Sequence, residues 1–394
     1  VTEFRPTNNS TANVRSGSFN RKLETLHLTV GAVHKYDTLD VDYDAFWSDS
    51  ASTYPGNYDT DFIARGIGVR IERTGEPFFP GLTQTSGPGI TDIKSYTENL
   101  FNVTRRTGDD VYEGAAINVK KRINAPVPSF IKAGVRIREQ KRDLTNTSFR
   151  LNYVGPDRVM GINPATGIND DNLARFLNPS VGDFIRGGRY PRVPFPAYGF
   201  RDSKGSGWDY SGYNMGTALV ETPQYFRDDI AFRIQSEKQG AQTFTEKIGA
   251  AYLMGSVDLG KMTVMGGVRV ERTKTEGEGA LSGITPAERA RRAAWVGPVT
   301  DEELGRRTLA ENAGRQKAAG EYRDVFPGLH LKYEPVRGLI ARTSYATNIG
   351  RPNIGQLIPR TTVNYDNRTL STSNPALSPQ YANNFDAGIE YYFE

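Results

Sequence analysis

A two-residue alternation at residues 261–273, KMTVMGGVRVERT, constrains this chain more than any other feature of its sequence. The even-numbered positions are apolar or small: Met262, Val264, Gly266, Val268 and Val270. The odd-numbered positions include Lys261, Arg269 and Glu271. Successive side chains of a β-strand point to opposite faces, so this period indicates a strand with one apolar and one polar face. Whether the apolar face meets a protein core or lipid then decides the class of the fold.

The same alternation recurs along the chain. It occurs in TLDVDYDAFW (38–47), FIKAGVRIR (130–138) and FDAGIEYYF (385–393). Further strands are predicted at 21–33, 61–73, 97–105, 110–123, 244–257, 322–334 and 337–347, which gives ten to twelve strands. Several segments run to about 13 residues, whereas ordinary strands have about 5 to 6 and membrane-spanning strands about 9 to 11. Their length favours strands that cross a membrane.

The predicted connections alternate between short and long. Short turns occur at DLGK, EPVRG and NAPVP, and long connections at 143–240, 276–320 and 349–379. Outer-membrane barrels have this polarity, with short periplasmic turns and long extracellular loops. We therefore predict that 143–240 and 276–320 are extracellular loops. Residues 75–96 do not fit this alternation. If 61–73 and 97–105 are both strands, the strand count places this long connection at the end where the short turns lie.

Two short helices are predicted inside the 276–320 loop. Thr285 and Thr300 are each followed three residues later by a glutamate, which is the capping-box pattern of a helix N-terminus. The first helix carries Arg289, Arg291 and Arg292, which could meet an anionic headgroup or ligand. A solvated helical face is the simpler interpretation of these arginines.

The composition of the chain limits what the apolar face can contact. Hydrophobic residues make up 37% of the chain and the mean hydropathy is −0.54. No stretch approaches the about 20 apolar residues of a spanning helix, which excludes a helical membrane protein. A membrane β-barrel and a soluble sandwich would both alternate. Long strands, glycines and mixed charges on the polar faces, and aromatic residues at strand ends favour lipid against Met262, Val264, Val268 and Val270.

The sequence offers no motif for catalysis, a metal or a cofactor. It contains no cysteine, which excludes disulfides and thiol chemistry. His27, His34 and His330 lie in or beside predicted strands, without an HExxH motif or a carboxylate cluster at ligand spacing. The net charge of +4 is small and dispersed, unlike a nucleic-acid footprint. We predict neither an enzyme nor a nucleic-acid-binding protein, and we expect no cofactor.

A candidate binding surface lies at 189–214, RYPRVPFPAYGFRDSKGSGWDYSGYN. Aromatic rings beside charged groups suit stacking on a sugar or an aromatic ligand, with polar groups fixing its orientation. The candidate ligand-binding residues are Tyr198, Arg201, Asp202, Trp208, Tyr210 and Tyr213. The alternative is a loop that folds on its own aromatic cluster over the mouth of the barrel.

Three C-terminal stretches, YRDVFPGLHLKYEP, LIARTSYATNIGRPN and NPALSPQYANNFDAGIEYYFE, resemble the barrel of a TonB-dependent outer-membrane receptor. In that family a strand ending in Arg-Pro precedes a long loop, and Asn-Pro-x-Leu-x-Pro leads into a strand that closes on Glu-Tyr-Tyr-Phe. The matching residues here are Arg351, Pro352, Asn374, Pro375, Leu377, Pro379, Glu390, Tyr391, Tyr392 and Phe393. With GGVRVERT included, the resemblance covers residues 244–394.

The resemblance implies an all-β, antiparallel up-and-down transmembrane barrel in the bacterial outer membrane, with residues 1–394 as part of a 22-stranded barrel. It also implies TonB-driven uptake of a siderophore, cobalamin or oligosaccharide through a plug domain. We find no plug or TonB box before the first strands, so we expect a barrel portion without its plug. The expected partners are outer-membrane lipid, the TonB complex through a plug missing from this chain, and a small-molecule or oligosaccharide ligand. A passive porin or adhesin barrel and a soluble glycan-binding β-protein remain alternatives.

Overall fold

The computed structural model describes residues 3–4, 9–72, 81–90, 92–123, 126–176 and 212–393. Most of these residues lie in β-strands. In chain order the strands are β1 (Glu3–Phe4), β2 (Ser10–Ser18), β3 (Lys22–Lys35), β4 (Leu39–Glu72), β5 (Gly81–Ser86), β6 (Glu98–Ile123), β7 (Ser129–Asn146), β8 (Phe149–Tyr153), β9 (Phe226–Asp228), β10 (Gln242–Asp258), β11 (Met262–Gly283), β12 (Gly314–Val336), β13 (Leu339–Gly350), β14 (Thr361–Asn364), β15 (Thr369–Thr372) and β16 (Gln380–Tyr391).

Helices lie in the connections between strands. They are α1 (Gly212–Glu221), α2 (Ile230–Gly240), α3 (Pro286–Ala293), α4 (Asp301–Asn312) and α5 (Ile354–Leu357), with 3₁₀ turns at Ile93–Ser95, Leu173–Phe176 and Pro223–Tyr225. Helices α3 and α4 confirm the two predicted from capping boxes. The Thr285 hydroxyl accepts from the Glu288 N–H, and the Thr300 hydroxyl from the Glu303 N–H. No helix among the described residues is both long and apolar enough to span a membrane.

Contacts divide the chain into two compact units. The first unit comprises Val1–Arg21, Tyr54–Arg105 and Thr147–Ser236. The second unit comprises Lys22–Thr53, Arg106–Asn146 and Glu237–Glu394. Strands β4 and β6 each contribute one part to each unit. The two units place their apolar side chains in different environments.

The first unit has a buried aromatic core. Phe62 of β4, Phe101 of β6 and Leu173 are fully buried, and Phe176 is nearly so. The ring of Phe62 packs against those of Phe101 and Phe176, with centroids 5.8 and 5.4 Å apart. Aromatic pairs at such distances stabilise a core beyond their area burial. Strands β2 and β8, which pair with β4 and β6, contribute further side chains to this core.

The second unit is an antiparallel sheet with the strand order β3-β4-β6-β7-β10-β11-β12-β13-β16. Neighbours in the sheet follow each other in the chain apart from short strands in the connections, which confirms the predicted up-and-down topology. The ladder between β11 and β12 runs from Leu281 opposite Gly314 to Met262 opposite Tyr333. Among the described residues, β3 pairs only with β4 and β16 only with β13.

The sheet alternates short and long connections. Residues 36–38, 124–128, 259–261 and 337–338 form the short connections. Gly260 and Gly338 lie in two of them with φ angles of 79° and 81°, a region that glycine enters without steric cost. The long connections are 73–97, 147–241, 284–313 and 351–379. The last three lie within or near the loops predicted from the sequence, although β7, β11 and β12 extend into those predicted ranges.

Two pairs of predicted strands are in fact single long strands. The predictions at 38–47 and 61–73 both fall in β4, and those at 97–105 and 110–123 both fall in β6. The pattern breaks in β4 at Pro55 and Gly56, which lie between two ladders. The ladder with β3 ends at Thr53, and the ladder with β2 begins at Tyr58. The strand count behind the predicted placement of residues 75–96 therefore treated β4 as two strands.

Candidate functional site

The sheet of the second unit exposes its apolar face. One row of cross-strand neighbours consists of Ile117, Val135, Ala251, Val270 and Val325. Val135 is 52% exposed and Val325 60%, whereas Thr273 and Asp324 on the opposite face are 0% and 5% exposed. A water-soluble sheet shows the reverse distribution. An exposed apolar face of this extent must be covered by another apolar surface, either protein or lipid.

The apolar face has a defined height. On β11 it runs from Met262 to Val270, and the same face then carries Arg272, Lys274, Glu276 and Glu278. The nine residues from 262 to 270 span roughly 30 Å at about 3.3 Å per residue. A membrane-crossing strand needs about 9 to 11 residues. We call this part of the face the apolar band; it contains the four residues predicted to contact lipid.

A row of charged residues, the charged rung, lies beyond the apolar band, four residues past Val270 on β11. It crosses five strands through Glu113, Glu139, Lys247, Lys274 and Glu321. Lys141 and Lys247 contact Glu139 at 3.1 and 3.3 Å. Arg272 contacts Glu321 at 2.7 Å, and this hydrogen bond lowers the pKa of the Glu321 carboxyl below its ordinary value. The change from apolar to charged side chains marks one boundary of the hydrocarbon layer.

An ion-pair chain lies on the polar face and includes a residue of the family motif. The Glu271 carboxylate accepts from Arg351 at 2.5 Å and forms an ion pair with Arg269 at 2.6 Å. The Glu271 side chain is 12% exposed. Arg351 follows β13, so its contact with β11 holds the start of the 351–379 connection against the polar face. The Arg-Pro motif therefore has a structural role here in anchoring a long connection.

A second polar network on the same face depends on a glycine. The Tyr252 hydroxyl donates to Asn118 Oδ1 at 2.8 Å, and Asn118 Nδ2 donates to Asp42 at 2.6 Å. Gly134 lies between Asn118 and Tyr252 in the ladder. A Cβ atom at Gly134 would overlap Asn118 and lie 2.6 Å from the Tyr252 ring. The absent side chain leaves room for the tyrosine to reach across a strand.

The predicted ligand-binding residues cannot be placed in this architecture. Tyr198, Arg201, Asp202, Trp208 and Tyr210 lie outside the described residues, and so does the side chain of Tyr213 in α1. They remain a prediction.

The other motif residues lie around β16. Asn374 Oδ1 accepts from the Ala376 N–H at 3.1 Å, which shapes the turn containing Pro375. Glu390 accepts from Arg342 of β13 at 2.7 Å and from the Tyr392 hydroxyl at 2.8 Å. The rings of Tyr391 and Phe393 meet edge to face at 4.7 Å. The motif thus fixes the pairing and the end of this strand; Pro352, Leu377 and Pro379 lie in the preceding connection.

Sequence reasoning missed an ion cluster between α3 and α4. Glu288 and Glu303, 8% and 5% exposed, accept hydrogen bonds from four arginines. The arginines are Arg291, Arg292, Arg306 and Arg307. Burial alone would raise the pKa of Glu288, but Arg292 and Arg291 outweigh it and hold the pKa below its ordinary value. The cluster stabilises a helical hairpin, so Arg291 and Arg292 serve the loop's own structure.

Comparison with known proteins gives a family for part of the chain. Residues 223–394 match the sequence model of the "Outer membrane protein beta-barrel family". No curated protein sequence matches the chain.

Solved structures of outer-membrane proteins also align with the chain. The hemophore receptor HasR of Serratia marcescens aligns over 93% of this chain and 50% of its own, with 9% identity and a TM-score of 0.26. The ferric citrate transporter FecA aligns over 97% and 49%, with 10% identity and a TM-score of 0.27. The outer membrane protease OmpT of Escherichia coli aligns over 98% and 97%, with 11% identity and a TM-score of 0.21. The chain thus spans about half the length of the two receptors.

The family match at 223–394 covers all the residues that carry the motif resemblance, 244–394, and confirms that resemblance as one to an outer-membrane barrel. The matched segment contains β10, β11, β12, β13 and β16, whose outward side chains form most of the apolar band. Lipid is therefore the cover that the exposed apolar face needs. The chain is an antiparallel transmembrane β-barrel protein of the bacterial outer membrane.

Proposed function

We propose that the protein is a receptor that imports a scarce solute, a siderophore, cobalamin or oligosaccharide, with energy supplied through TonB. The observation that carries the proposal is the two-faced sheet of the second unit. Its apolar band has the height of a bilayer, and its opposite face is lined by paired charges and hydrogen-bonded polar groups. Such a face suits a hydrated passage or a polar plug, as in large outer-membrane barrels.

The pairing of charges on the polar face favours transport of a selected solute. Arg269 and Arg351 both contact the Glu271 carboxylate, and Asp324 accepts from the Tyr381 hydroxyl at 2.8 Å. Because these contacts fix the side chains in place, they form a constant lining and leave solute selection to other parts of the protein. We assign selection to the 147–241 connection, with the aromatic residues of 189–214 as the first candidates. We propose transport rather than catalysis for the same reason.

The TonB-coupled import can be tested in cells. The gene that encodes this chain is deleted and restored, and uptake of radiolabelled ferric siderophores, cobalamin and maltooligosaccharides is measured with and without a protonophore. Saturable uptake that requires the gene and stops with the protonophore supports the proposal. Gene-dependent uptake that neither saturates nor responds to the protonophore would instead establish a passive porin. Surface binding without any uptake would establish an adhesin.

Ligand selection by the 189–214 region is tested by a matched pair of tryptophan variants. Trp208→Ala removes a candidate stacking residue, whereas Trp295→Ala removes a 41% exposed tryptophan that follows α3. We expect Trp208→Ala to raise the half-saturation concentration roughly 2- to 10-fold, in line with the about 0.5–1.5 kcal/mol of an aromatic stacking contact. Trp295→Ala should leave uptake unchanged. Equal effects of the two substitutions would remove 189–214 from the binding surface.

A further inference from the structure

Three carboxylates of the first unit meet in the segment after β8. Asp157, Asp170 and Asp171 each place one oxygen within 4.8 Å of the others. Asp171 is fully buried. The segment folds back on itself through a bridge between Ile162 and Asn169, which brings Asp157 to residues thirteen and fourteen positions further along the chain. The sequence spacing alone gives no sign of this juxtaposition.

Each carboxylate uses one oxygen in a local hydrogen bond. Asp157 Oδ1 accepts from the Val159 N–H at 3.2 Å, and Asp171 Oδ2 accepts from the Gly161 N–H at 2.8 Å. Asp170 Oδ2 accepts from Asn163 Nδ2 at 3.1 Å. These bonds fix the orientation of all three side chains and leave one oxygen of each available.

The three remaining oxygens are buried and have no hydrogen-bond partner among the described residues. They are Oδ2 of Asp157, Oδ1 of Asp170 and Oδ1 of Asp171. The Oδ1 atom of Asp171 points towards the turn at Gly155, where a Cβ would lie only 3.1 Å from it. A buried anionic oxygen without a donor is costly, and native structures seldom keep one, let alone three together.

Local positive charge is too small to balance this group. Arg175 forms an ion pair with Asp170 at 3.4 Å, on the oxygen that already accepts from Asn163. One guanidinium at one of the three carboxylates leaves the group with an excess of negative charge, which a further cation would balance.

We propose that Asp157, Asp170 and Asp171 form a binding site for a divalent cation of the hard, oxygen-binding class, Ca²⁺. The three carboxylate ligands carry no nitrogen or sulfur donor, which disfavours Zn²⁺ and softer metals. Ca²⁺ accepts irregular sets of carboxylate, carbonyl and water oxygens, whereas Mg²⁺ demands near-octahedral geometry. A site built by turns of one loop suits the more tolerant ion.

The cation would stabilise the attachment of this loop to the aromatic core. Asn99 of β6 donates to the backbone carbonyls of Tyr153 and Asp171 at 3.0 and 3.2 Å. Leu173 and Phe176, which follow directly, are buried in the core. Neutralising the carboxylates therefore stabilises the segment that carries these two core residues. This role does not depend on which solute the protein transports.

Calorimetry on the full chain tests the site. The protein is purified in detergent, stripped with a chelator and titrated with CaCl₂ and, separately, with MgCl₂. We expect one Ca²⁺ site with a Kd in the range of about 10⁻⁶ to 10⁻³ M and weaker binding of Mg²⁺. Asp157→Asn and Asp171→Asn should raise the Kd at least tenfold, whereas Asp366→Asn, at an 84% exposed carboxylate, should not. Absence of Ca²⁺ binding in the wild-type protein overturns the proposal.

Thermal unfolding separates a ligand role from a purely structural one. In chelator, Asp171→Asn removes an uncompensated buried charge, so its Tm should equal or exceed that of the wild type. In Ca²⁺ the order should reverse, because only the wild type gains the cation. A variant that is less stable by the same amount in both buffers would show a structural carboxylate and overturn the proposal. Amide hydrogen exchange in residues 155–172 of the wild type should also be slower with Ca²⁺ than in chelator. This measurement needs no variant.

Discussion

The two units use alternating strands in opposite ways. In the first unit, Phe62, Phe101 and Leu173 are fully buried among other apolar side chains. In the second, Ile137 is 64% exposed and Ile389 79%, while Glu246 and Asp324 of the opposite face are 8% and 5% exposed. A period of two thus specifies that a strand has unlike faces, but the environment of each face is set by what packs against it. The first unit provides its own apolar cover, and the second takes it from lipid.

The largest expected effect comes from a matched pair of phenylalanine substitutions. Phe101→Ala opens a cavity in the first unit's core and should lower the free energy of unfolding by about 3–5 kcal/mol. Phe385→Ala, at a 77% exposed position of β16, removes apolar area without creating an enclosed cavity and should cost about 1–2 kcal/mol. Urea unfolding in lipid vesicles measures both. Equal losses of unfolding free energy for the two variants would contradict the different environments of apolar side chains in the two units.

An arginine placed at two positions on the outward face of β11 tests whether the apolar band lies in lipid, because the cost of a charge depends on its depth in the bilayer. Val268→Arg puts a guanidinium near the middle of the band and should cost about 2–4 kcal/mol, because lipid cannot solvate it. Glu276→Arg places the same side chain on the same face of β11 beyond the charged rung, where about 0–1 kcal/mol is expected. Refolding yield in vesicles and abundance in the outer membrane report the difference. Similar losses for both variants would mean that the band does not face lipid.

A pair of glycine substitutions compares how tightly side chains pack on the polar face and on the lipid face. Gly134→Ala pushes Cβ into Asn118 and Tyr252 and should destabilise the protein by about 1–3 kcal/mol. At Gly249, a Cβ would meet nothing within 4 Å. Gly249→Ala should therefore be neutral or stabilise by up to about 1 kcal/mol through the unfolded chain. Tm in detergent measures both, and a harmless Gly134→Ala would show that the Tyr252 network is dispensable.

The smallest expected effect concerns the charged rung. The pKa of Glu321 is lowered by its hydrogen bond with Arg272, so the pair stabilises the protein above the ordinary glutamate pKa and loses this effect as pH falls through the lowered one. Glu321→Gln should lower Tm slightly at pH 7, and the difference should shrink as pH falls through the lowered pKa of Glu321. High salt should shrink the difference at pH 7, since the pair is exposed. A pH-independent difference would point to packing instead of charge.

The membrane strands could be predicted from sequence because every second side chain faces lipid and must be apolar. This requirement produces a period of two in the sequence. Strand ends were less predictable. Beyond Val270 the outward face of β11 becomes charged, yet the ladder with β12 continues to Leu281. Backbone pairing there no longer depends on an apolar pattern, so the sequence gives little sign of it. The two strands predicted at 38–47 and 61–73 are one strand, β4, which continues through Pro55 and Gly56 without an apolar alternation there.

The candidate sites were less predictable still. The motif residue Arg351 was found by resemblance, but its partner Glu271 lies 80 positions away in sequence, and only the fold brings the two together. The Asp157, Asp170 and Asp171 group depends on a loop reversal and on which oxygens the backbone leaves unpartnered. A capping-box glutamate such as Glu288 can be recognised from sequence, whereas the four arginines around it and Glu303 follow from the packing of two helices.

The extension of the strands beyond the apolar band has a consequence for what lies outside the hydrocarbon layer. On β11 the stretch Arg272–Gly283 continues for about 40 Å along the strand at about 3.3 Å per residue. Paired backbone is stiff, so α3 and α4 are held at a fixed distance from the hydrocarbon instead of resting on it. A macromolecule that approaches the membrane from that side would therefore meet paired, charged strands before it reached the bilayer.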